Sequence, residues 1–369
     1  MKKKNDTGGP VLTRRDAMRG LGATLPLAVI GGVAGSTIPL GELRAEGAKG
    51  PINFLTWGGN FGKGIRIAFS DPYTAASGIE IKDITPFNLG KFQTAMRNNN
   101  PEGYDLAWFN DEVEPVLLGN DGMLEEINYE WMPNAKDAIP GTRQKYGVAP
   151  YVTLYQMGYN TNAYKDKAPN SWKDFWDIEA FPGPRSLGTW VAGVLEAALM
   201  ADGVTPDQLY PLDEDRAFKM LDKLKPNIRV FHDTQANEAV QQMLQQGQVN
   251  MVLSWATDTL AASKAGKPVN VVYNQGFYFS PLVGIAKGTK YLKECHDYLN
   301  LFFDPERELA FINAWPTSPA NPATLDLMTE EQKSSVATGH IPEMVHFNVD
   351  YYAQNVTRLQ QKYDSWRIV

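Results

Sequence analysis

Cysteine is nearly absent from this chain of 369 residues, because Cys295 is its single thiol. One thiol cannot form an internal disulfide, and it cannot supply the several thiolates of a structural zinc or iron–sulfur site. Histidine is also scarce. The four histidines lie at positions 232, 296, 340 and 346, without the His-x-x-x-His spacing of helical metal ligands. We therefore expect no metal site.

An excess of positive charge is missing as well. Lysine and arginine total 35 against 42 aspartate and glutamate residues, which gives a net charge of −7. Nucleic-acid binding needs clustered positive charge, so the composition argues against it. Charged residues make up 21% and hydrophobic residues 43% of the chain, as in soluble globular proteins. The length suggests about two folded units once a targeting segment is set aside.

Signatures of catalysis are absent too. Residues 58–64 contain four glycines and Lys63, but they lack the spacing and the Ser or Thr of a phosphate-binding loop. No serine lies in a Gly-x-Ser-x-Gly turn of the kind that carries a nucleophile. We therefore expect a protein that is not an enzyme and that has no cofactor.

The amino terminus predicts export. Basic residues at positions 2–4 precede Thr13-Arg14-Arg15, and a weakly apolar stretch follows from residue 21 to about residue 40. The pattern resembles a twin-arginine signal, although Ala17 stands where a bulky Phe is usual. Cleavage after Ala45 would leave 28 basic and 39 acidic residues, and no cysteine near that point could accept a lipid. We expect residues 1–45 to be a signal peptide and the mature protein to be periplasmic.

Hydrophobic periodicity after residue 50 indicates alternating strands and helices. Strands are predicted at 52–57, 79–84, 104–109 and 249–255, with a crossing segment at 146–159 and a return near 280–285. Helices are predicted near 92–96, 116–123, 191–200, 213–224 and 236–246, and Ser171 with Asp174 forms the capping pattern of another. The alternation predicts an α/β fold.

Several short landmarks recur along the chain in a recognisable order. They are Trp57, Tyr104-Asp105-Leu106, Gly122-Met123-Leu124, Ala149-Pro150-Tyr151, Ser171-Trp172-Lys173-Asp174-Phe175-Trp176, Gly247-Gln248-Val249-Asn250 leading to Trp255, and Trp315-Pro316-Thr317-Ser318-Pro319. Together they resemble the type II solute-binding proteins of ABC importers, most closely the spermidine/putrescine-binding branch.

This resemblance implies a two-lobed α/β fold with a mixed, mostly parallel sheet in each lobe, flanking helices and a ligand cleft between the lobes. Lobe one would comprise residues 46–158 and 282–369, and lobe two residues 159–281. The implied function is to capture a small organic solute, polyamine-like or otherwise amine-containing, by hinge closure. A monomer would deliver it to the ABC permease in the inner membrane.

The resemblance also implies a set of ligand-stacking rings, because polyamine binders hold the methylene chain between aromatic faces and the ammonium ends with carboxylates. Trp57, Trp255, Phe279 and Trp315 lie at the stacking positions. The family's carboxylates do not carry over, since Trp190 and Gly193 replace one pair and Pro281 replaces a third acid.

Other polar residues in the same loops are therefore candidates. Asp111, Glu112 and Glu114 follow Asn110 and are either substitutes for the missing acids or a solvated loop. Arg185 near a helix start suits a carboxylate or phosphate, or else a structural ion pair. A carbohydrate or organic-anion receptor, and less favourably an exported enzyme, stay as alternatives. The predicted ligand contacts are Trp57, Asn110, Glu112, Arg185, Thr189, Trp190, Trp255, Phe279 and Trp315.

Overall fold

The computed structural model describes residues 50–98, 103–234, 237–334 and 336–368. The predicted signal peptide, with Arg14 and Arg15, lies outside these residues. Within the described ranges, no helix is both long enough and apolar enough to cross a membrane.

Thirteen strands are found in the described part of the chain. They are β1 (Ile52–Leu55), β2 (Ile81–Ile84), β3 (Leu106–Trp108), β4 (Arg143–Gln144), β5 (Gly147–Val148), β6 (Tyr151–Asn160), β7 (Arg185–Gly188), β8 (Ile228–His232), β9 (Met251–Trp255), β10 (Val269–Phe279), β11 (Val283–Ile285), β12 (Ser318–Pro319) and β13 (Val345–His346).

Thirteen α-helices accompany them in the same ranges. They are α1 (Gly59–Ile65), α2 (Asp71–Ser77), α3 (Leu89–Arg97), α4 (Val113–Asn120), α5 (Trp172–Trp176), α6 (Val194–Ala201), α7 (Glu214–Leu224), α8 (Asn237–Gln245), α9 (Thr257–Lys264), α10 (Leu292–Asn300), α11 (Pro305–Ala314), α12 (Glu330–Lys333) and α13 (Val349–Ile368). The predicted capping box of Ser171 and Asp174 is present at α5.

The strands form two mixed sheets. The first has the order β2-β1-β3-β11-β5-β4, and the second has the order β13-β10-β6-β9-β7-β8, with β12 paired to β6. The predicted return to the first sheet near residue 285 is confirmed, because β11 pairs with β3. The sheets are less parallel than predicted, since β11 runs antiparallel to β3 and β5, and β6 runs antiparallel to β9 and β10.

The carboxyl-terminal segment is a correction to the predicted lobes. We assigned residues 282–369 to lobe one, yet β13 pairs with β10 in the second sheet. On α13, the buried side chains of Tyr352, Leu359 and Tyr363 belong to the hydrophobic core of that sheet. Burial of these side chains against the second sheet, which local patterning does not encode, determines where the helix packs. The other lobe boundaries stay a prediction.

Five strands of the second sheet point in the same direction, so their carboxyl ends lie along the same side of the sheet. Strand β7 runs parallel to both of its neighbours, β8 and β9. Strand β6 runs antiparallel to both β9 and β10, so β10 has the same direction as β9, and β13 runs parallel to β10. Their carboxyl ends therefore meet at one edge. In α/β sheets, ligands bind in the crevice outside such an edge.

Candidate ligand-binding site

Five aromatic side chains collect at this edge and form what we call the second-sheet cluster. Tyr155 lies on β6, Trp255 ends β9 and Phe279 ends β10, while Trp190 lies two residues after β7 and Phe347 directly follows β13. The ring centroid of Trp255 lies 4.7 Å from that of Tyr155 and 4.8 Å from that of Phe279. Trp190 stacks on Trp255 at 5.9 Å with an interplanar angle of 27°. The predicted contacts Trp190, Trp255 and Phe279 are thus brought together.

Buried hydrogen bonds lie on the strands that carry the second-sheet cluster. The indole Nε1–H of Trp255 donates to the Thr234 carbonyl at 2.8 Å, which fixes the plane of the ring. The Ser186 hydroxyl donates to the Val230 carbonyl at 2.9 Å and lies 2.7 Å from His232 Nδ1. Since a hydroxyl has one proton, Ser186 accepts from Nδ1–H, and Nε2 of a neutral His232 is an acceptor. Burial lowers the pKa of His232 to about 4, so the imidazole is neutral at pH 7.

A second group of rings, the first-sheet cluster, comprises Trp57, Phe61, Trp108 and Trp315. Trp57 follows β1 and stacks on Trp108 at the end of β3, with centroids 5.1 Å apart. Phe61 makes edge contacts with Trp57 at 4.9 Å and with Trp315 at 5.8 Å. Trp315 terminates α11 and is 36% exposed. The structure therefore groups the predicted contacts Trp57 and Trp315 on the first-sheet side.

The loop that joins β3 to α4 carries the acidic residues. Glu114 accepts from the backbone and side-chain amides of Asn110 at 2.9 and 3.3 Å. Oδ1 of Asp111 accepts from the backbone N–H groups of Val113 and Glu114, both at 2.8 Å, and so caps the start of α4. Burial raises the pKa of both carboxyl groups. Each acid thus has a local role in the loop, and Asn110 is tied to Glu114.

Glu112 has a different environment from its two acidic neighbours. Its carboxylate is buried and accepts from the Ser280 backbone N–H at 2.7 Å and from Gln144 Nε2 at 3.3 Å, and it pairs with His346 Nε2 at 2.6 Å. Burial raises the pKa of Glu112, and the pairing with His346 opposes that shift. Both carboxylate oxygens bind protein groups here, rather than being left free for the predicted ligand contact.

The predicted ligand contact Arg185 lies away from the second-sheet cluster. Arg185 is 0% exposed and begins β7, at the opposite end of the strand from Trp190. Its guanidinium donates to the Phe175, Phe181 and Gly183 carbonyls and to the Tyr164 hydroxyl. Burial lowers its pKa. Nε, Nη1 and Nη2 thus each donate to protein groups at the far end of the strand from Trp190.

Thr189 lies at the correct end of β7, next to Trp190. Its backbone N–H donates to the His232 carbonyl at 2.9 Å, and its own carbonyl accepts from Gln360 Nε2 at 2.8 Å. These bonds attach the end of β7 to β8 and to α13. Thr189 therefore fixes the backbone that presents Trp190.

A small cavity of about 20 Å³ lies where the acidic loop meets the second-sheet cluster. This volume holds at most one water-sized group, and the walls of the cavity are almost entirely apolar. The sequence interpretation missed two rings near it, Phe347 in the wall and Tyr155 behind Trp190. The cavity is lined by Asp111, Glu112, Val113, Trp190, Ala192, Phe279, Phe347, Val349 and Tyr352.

Metal ligation finds no support in the described ranges, which contain no group of three or more His, Cys, Asp or Glu side chains able to hold an ion. The site instead offers aromatic faces, carboxylates and neutral polar groups. Such a set suits a small organic molecule with an apolar body.

Comparison with known proteins identifies the family. Residues 68–338 match the family model described as bacterial extracellular solute-binding protein. The chain belongs to this family. Its members are solute-binding receptors, which agrees with the two aromatic clusters at the sheet edges.

Among curated relatives, the gamma-aminobutyric acid-binding protein of Pseudomonas aeruginosa is 29% identical, with 71% of this chain and 76% of the relative covered. The spermidine/putrescine-binding periplasmic protein of Escherichia coli K12 is 23% identical, over 67% of this chain and 72% of the relative. The predicted kinship with polyamine binders is thus confirmed.

Solved structures agree with the fold. An ABC transporter substrate-binding protein from Bradyrhizobium japonicum is 29% identical with a TM-score of 0.75, and the match covers 86% of this chain and 99% of that one. A structure described as a GABA receptor is 25% identical with a TM-score of 0.74, over 86% of this chain and 97% of the other. The predicted binding-protein fold is therefore confirmed.

Proposed function

We propose that this protein is the periplasmic receptor of an ABC importer and that it captures a small amine-containing solute between the first-sheet and second-sheet clusters. The observation that supports this most is the pair of aromatic surfaces, one on each sheet, with a carboxylate loop beside the second. Aromatic faces attract ammonium groups and cover methylene chains, and a carboxylate neutralises the charge. Receptors of this kind work with membrane permeases, and we expect this one to act as a monomer.

Asp111 is the acid that we assign to the ammonium group of the solute. Asp111 is one of the residues that line the cavity between the acidic loop and the rings of Trp190, Phe279 and Phe347. Oδ1 already accepts two backbone bonds, so Oδ2 would face the ligand. Glu112 is less suited, because Ser280, Gln144 and His346 surround it.

An organic anion is less well supported as the ligand, because Arg185, the cation that was expected to bind it, is buried at the other end of β7. A carbohydrate would use the same rings without needing Asp111. The two remaining classes are therefore distinguished by the charge of that carboxylate.

Calorimetry of the mature protein against gamma-aminobutyric acid, putrescine, spermidine and an oligosaccharide tests the proposal. We expect at least one amine to bind and to be recovered unchanged. Asp111→Asn keeps the acceptor for the backbone of α4 but removes the charge, so it should weaken amine binding about 10- to 100-fold. Binding of the oligosaccharide alone, or conversion of an amine to a product, would contradict the proposal.

Export through the twin-arginine pathway is proposed from the sequence of residues 1–45. Changing Arg14 and Arg15 together to Lys should leave precursor in the cytoplasm, because that pathway reads the arginine pair. Fractionation with immunoblotting measures the outcome, with the unmodified precursor in a strain lacking the translocase as the control. Undiminished periplasmic yield in that strain would indicate the general secretory route instead.

A further inference from the structure

Glu112 occupies a junction between the two sheets that ligand binding alone does not explain. It belongs to the loop between β3 of the first sheet and α4, yet its carboxylate is 2% exposed. Burying a carboxylate costs several kcal/mol unless hydrogen bonds and an opposite charge compensate. The groups that bind the Glu112 carboxylate therefore have to compensate for the cost of burying it.

These partners come from three separate parts of the chain. Ser280 lies in the crossing from β10 to β11, and its backbone N–H donates to Oε1 at 2.7 Å. His346 ends β13 of the second sheet, and its Nε2 lies 2.6 Å from Oε2. Gln144 on β4 of the first sheet donates to Oε2 at 3.3 Å. One carboxylate thus binds the first sheet, the crossing and the second sheet.

The surroundings of His346 are built for this contact. Its ring stacks on Tyr278 of β10, with centroids 5.0 Å apart and an interplanar angle of 22°. Gly141 lies opposite, where a Cβ atom would be 2.8 Å from His346 Nε2 and 3.2 Å from the Tyr278 ring. A larger residue at position 141 would push the imidazole away from Glu112. The absence of a side chain there lets His346 reach a carboxylate that is 234 residues away in the sequence.

Contacts close to Glu112 also join the two sheets. Val113, the next residue, packs against the hydrophobic core of the second sheet, and α4 lies against α13. Separation of the sheets at this point would break the pairing with His346 and expose the carboxylate to water. A carboxylate that gains one of its partners, His346, only when the sheets meet adds to the stability of that arrangement.

We propose that Glu112, the Ser280 N–H and His346 form an inter-sheet latch, in which Glu112 is a positioning residue that holds the two aromatic clusters in register for the ligand. The latch concerns the arrangement of the sheets, and only its effect on affinity rests on the proposed function. Loss of the latch shifts the ensemble towards separated sheets. Loss of the latch therefore lowers the affinity for every ligand without changing which ligand is preferred.

Glu112→Gln tests the latch, because the amide keeps an acceptor for Ser280 but loses the charge that His346 binds. Small-angle scattering of the ligand-free variant should show a larger radius of gyration than the wild type. Calorimetry with gamma-aminobutyric acid and putrescine should show affinities lowered about 10- to 100-fold in the same order of preference. His346→Gln should move both measurements in the same direction, and it stands in if Glu112→Gln does not fold.

His340→Gln is the matched control, since His340 forms an exposed pair with Glu343 at 2.9 Å. It should change neither the radius of gyration nor the affinity. If both latch variants lower only the free energy of unfolding and leave the radius and affinities unchanged, the latch is refuted and Glu112 is merely structural. If neither probe binds the wild type, the proposed ligand class fails, while the scattering comparison still decides the latch.

Discussion

The two aromatic clusters are built differently, although both lie at the ends of strands. In the second-sheet cluster the Trp255 indole is tied to the Thr234 carbonyl, and a buried polar pair, Ser186 and His232, joins the adjacent strands β7 and β8. In the first-sheet cluster, Trp315 is partly exposed at the end of α11, and its one ring contact within the described ranges is with Phe61. The second-sheet cluster is thus a fixed surface, whereas the first-sheet cluster has an adjustable edge.

This difference predicts which cluster supplies most of the binding affinity and which one adjusts to the ligand. A ring that is already fixed loses little conformational entropy when a ligand stacks on it, so its contact contributes more to binding. A ring at a solvent-exposed edge must be ordered first, and its contribution is smaller. We therefore expect the second-sheet cluster to dominate affinity and the Trp315 edge to adjust to the ligand.

Removal of the central fixed ring should have the largest effect. Trp255→Ala deletes the half-buried ring that contacts Tyr155, Trp190 and Phe279, and it leaves a void at the centre of the cluster. We expect a loss of about 2 to 4 kcal/mol of binding free energy, or roughly 30- to 1,000-fold in Kd. This change in Kd is measured by calorimetry with an amine that the wild type binds.

Trp366→Ala is the control for that substitution. Trp366 lies on α13, stacks on Tyr363 and donates to Asp222 at 2.8 Å, and it belongs to neither aromatic cluster. It should lower the free energy of unfolding without affecting Kd. Equal losses of affinity in the two variants would show that the second-sheet cluster acts through stability rather than through contact with the ligand.

The polar support of the fixed surface predicts a dependence of stability on pH. The folded pKa of His232, about 4, lies below the ordinary value near 6.5, because burial disfavours the charged ring. As the pH falls through 6.5, the unfolded chain takes up the proton first, so His232 lowers stability progressively down to pH 4. The loss should reach about 3 kcal/mol between pH 7.5 and pH 4.

Urea unfolding of the wild type and of His232→Asn at the two pH values isolates this contribution. The titration of all other groups contributes equally to the two proteins and cancels when their losses of unfolding free energy are compared. The variant should lose about 3 kcal/mol less than the wild type. An equal loss in both proteins would mean that His232 is accessible to protons in the folded state and that the second-sheet cluster is not supported by a neutral imidazole.

Much of the fold could be predicted from sequence because it rests on local patterns. The strand at Ile52–Leu55, the helix capped by Ser171 and the return strand at Val283–Ile285 each have a periodicity or a capping signal within a few residues. The proportion of parallel strand pairs was overestimated, because whether two neighbouring strands are parallel depends on which strands pair in the folded sheet. That information is not present in any single segment.

The site was predicted in part for the same reason. Trp190, Trp255 and Phe279 lie where strands end, a position that landmark spacing indicates. Arg185 was misplaced because the Pro182-Gly183-Pro184 segment indicates a break in the chain but not which end of the following strand faces the cleft. The partner of Glu112, His346, is 234 residues away, and such a pairing leaves no local signal.

The smallest expected effect concerns the adjustable edge, through Trp315→Ala. One edge contact at 5.8 Å to Phe61 and an exposure of 36% predict a loss of only about 2- to 10-fold in affinity, as for a single aromatic pair. Trp131 is a matched control, since it is 37% exposed and makes a similar edge contact, at 5.1 Å, with His296. Trp131→Ala should leave Kd unchanged. If Trp315→Ala costs as much affinity as Trp255→Ala, the exposed ring becomes a fixed anchor once ligand is bound, and the contrast between the two clusters holds only for the unbound protein.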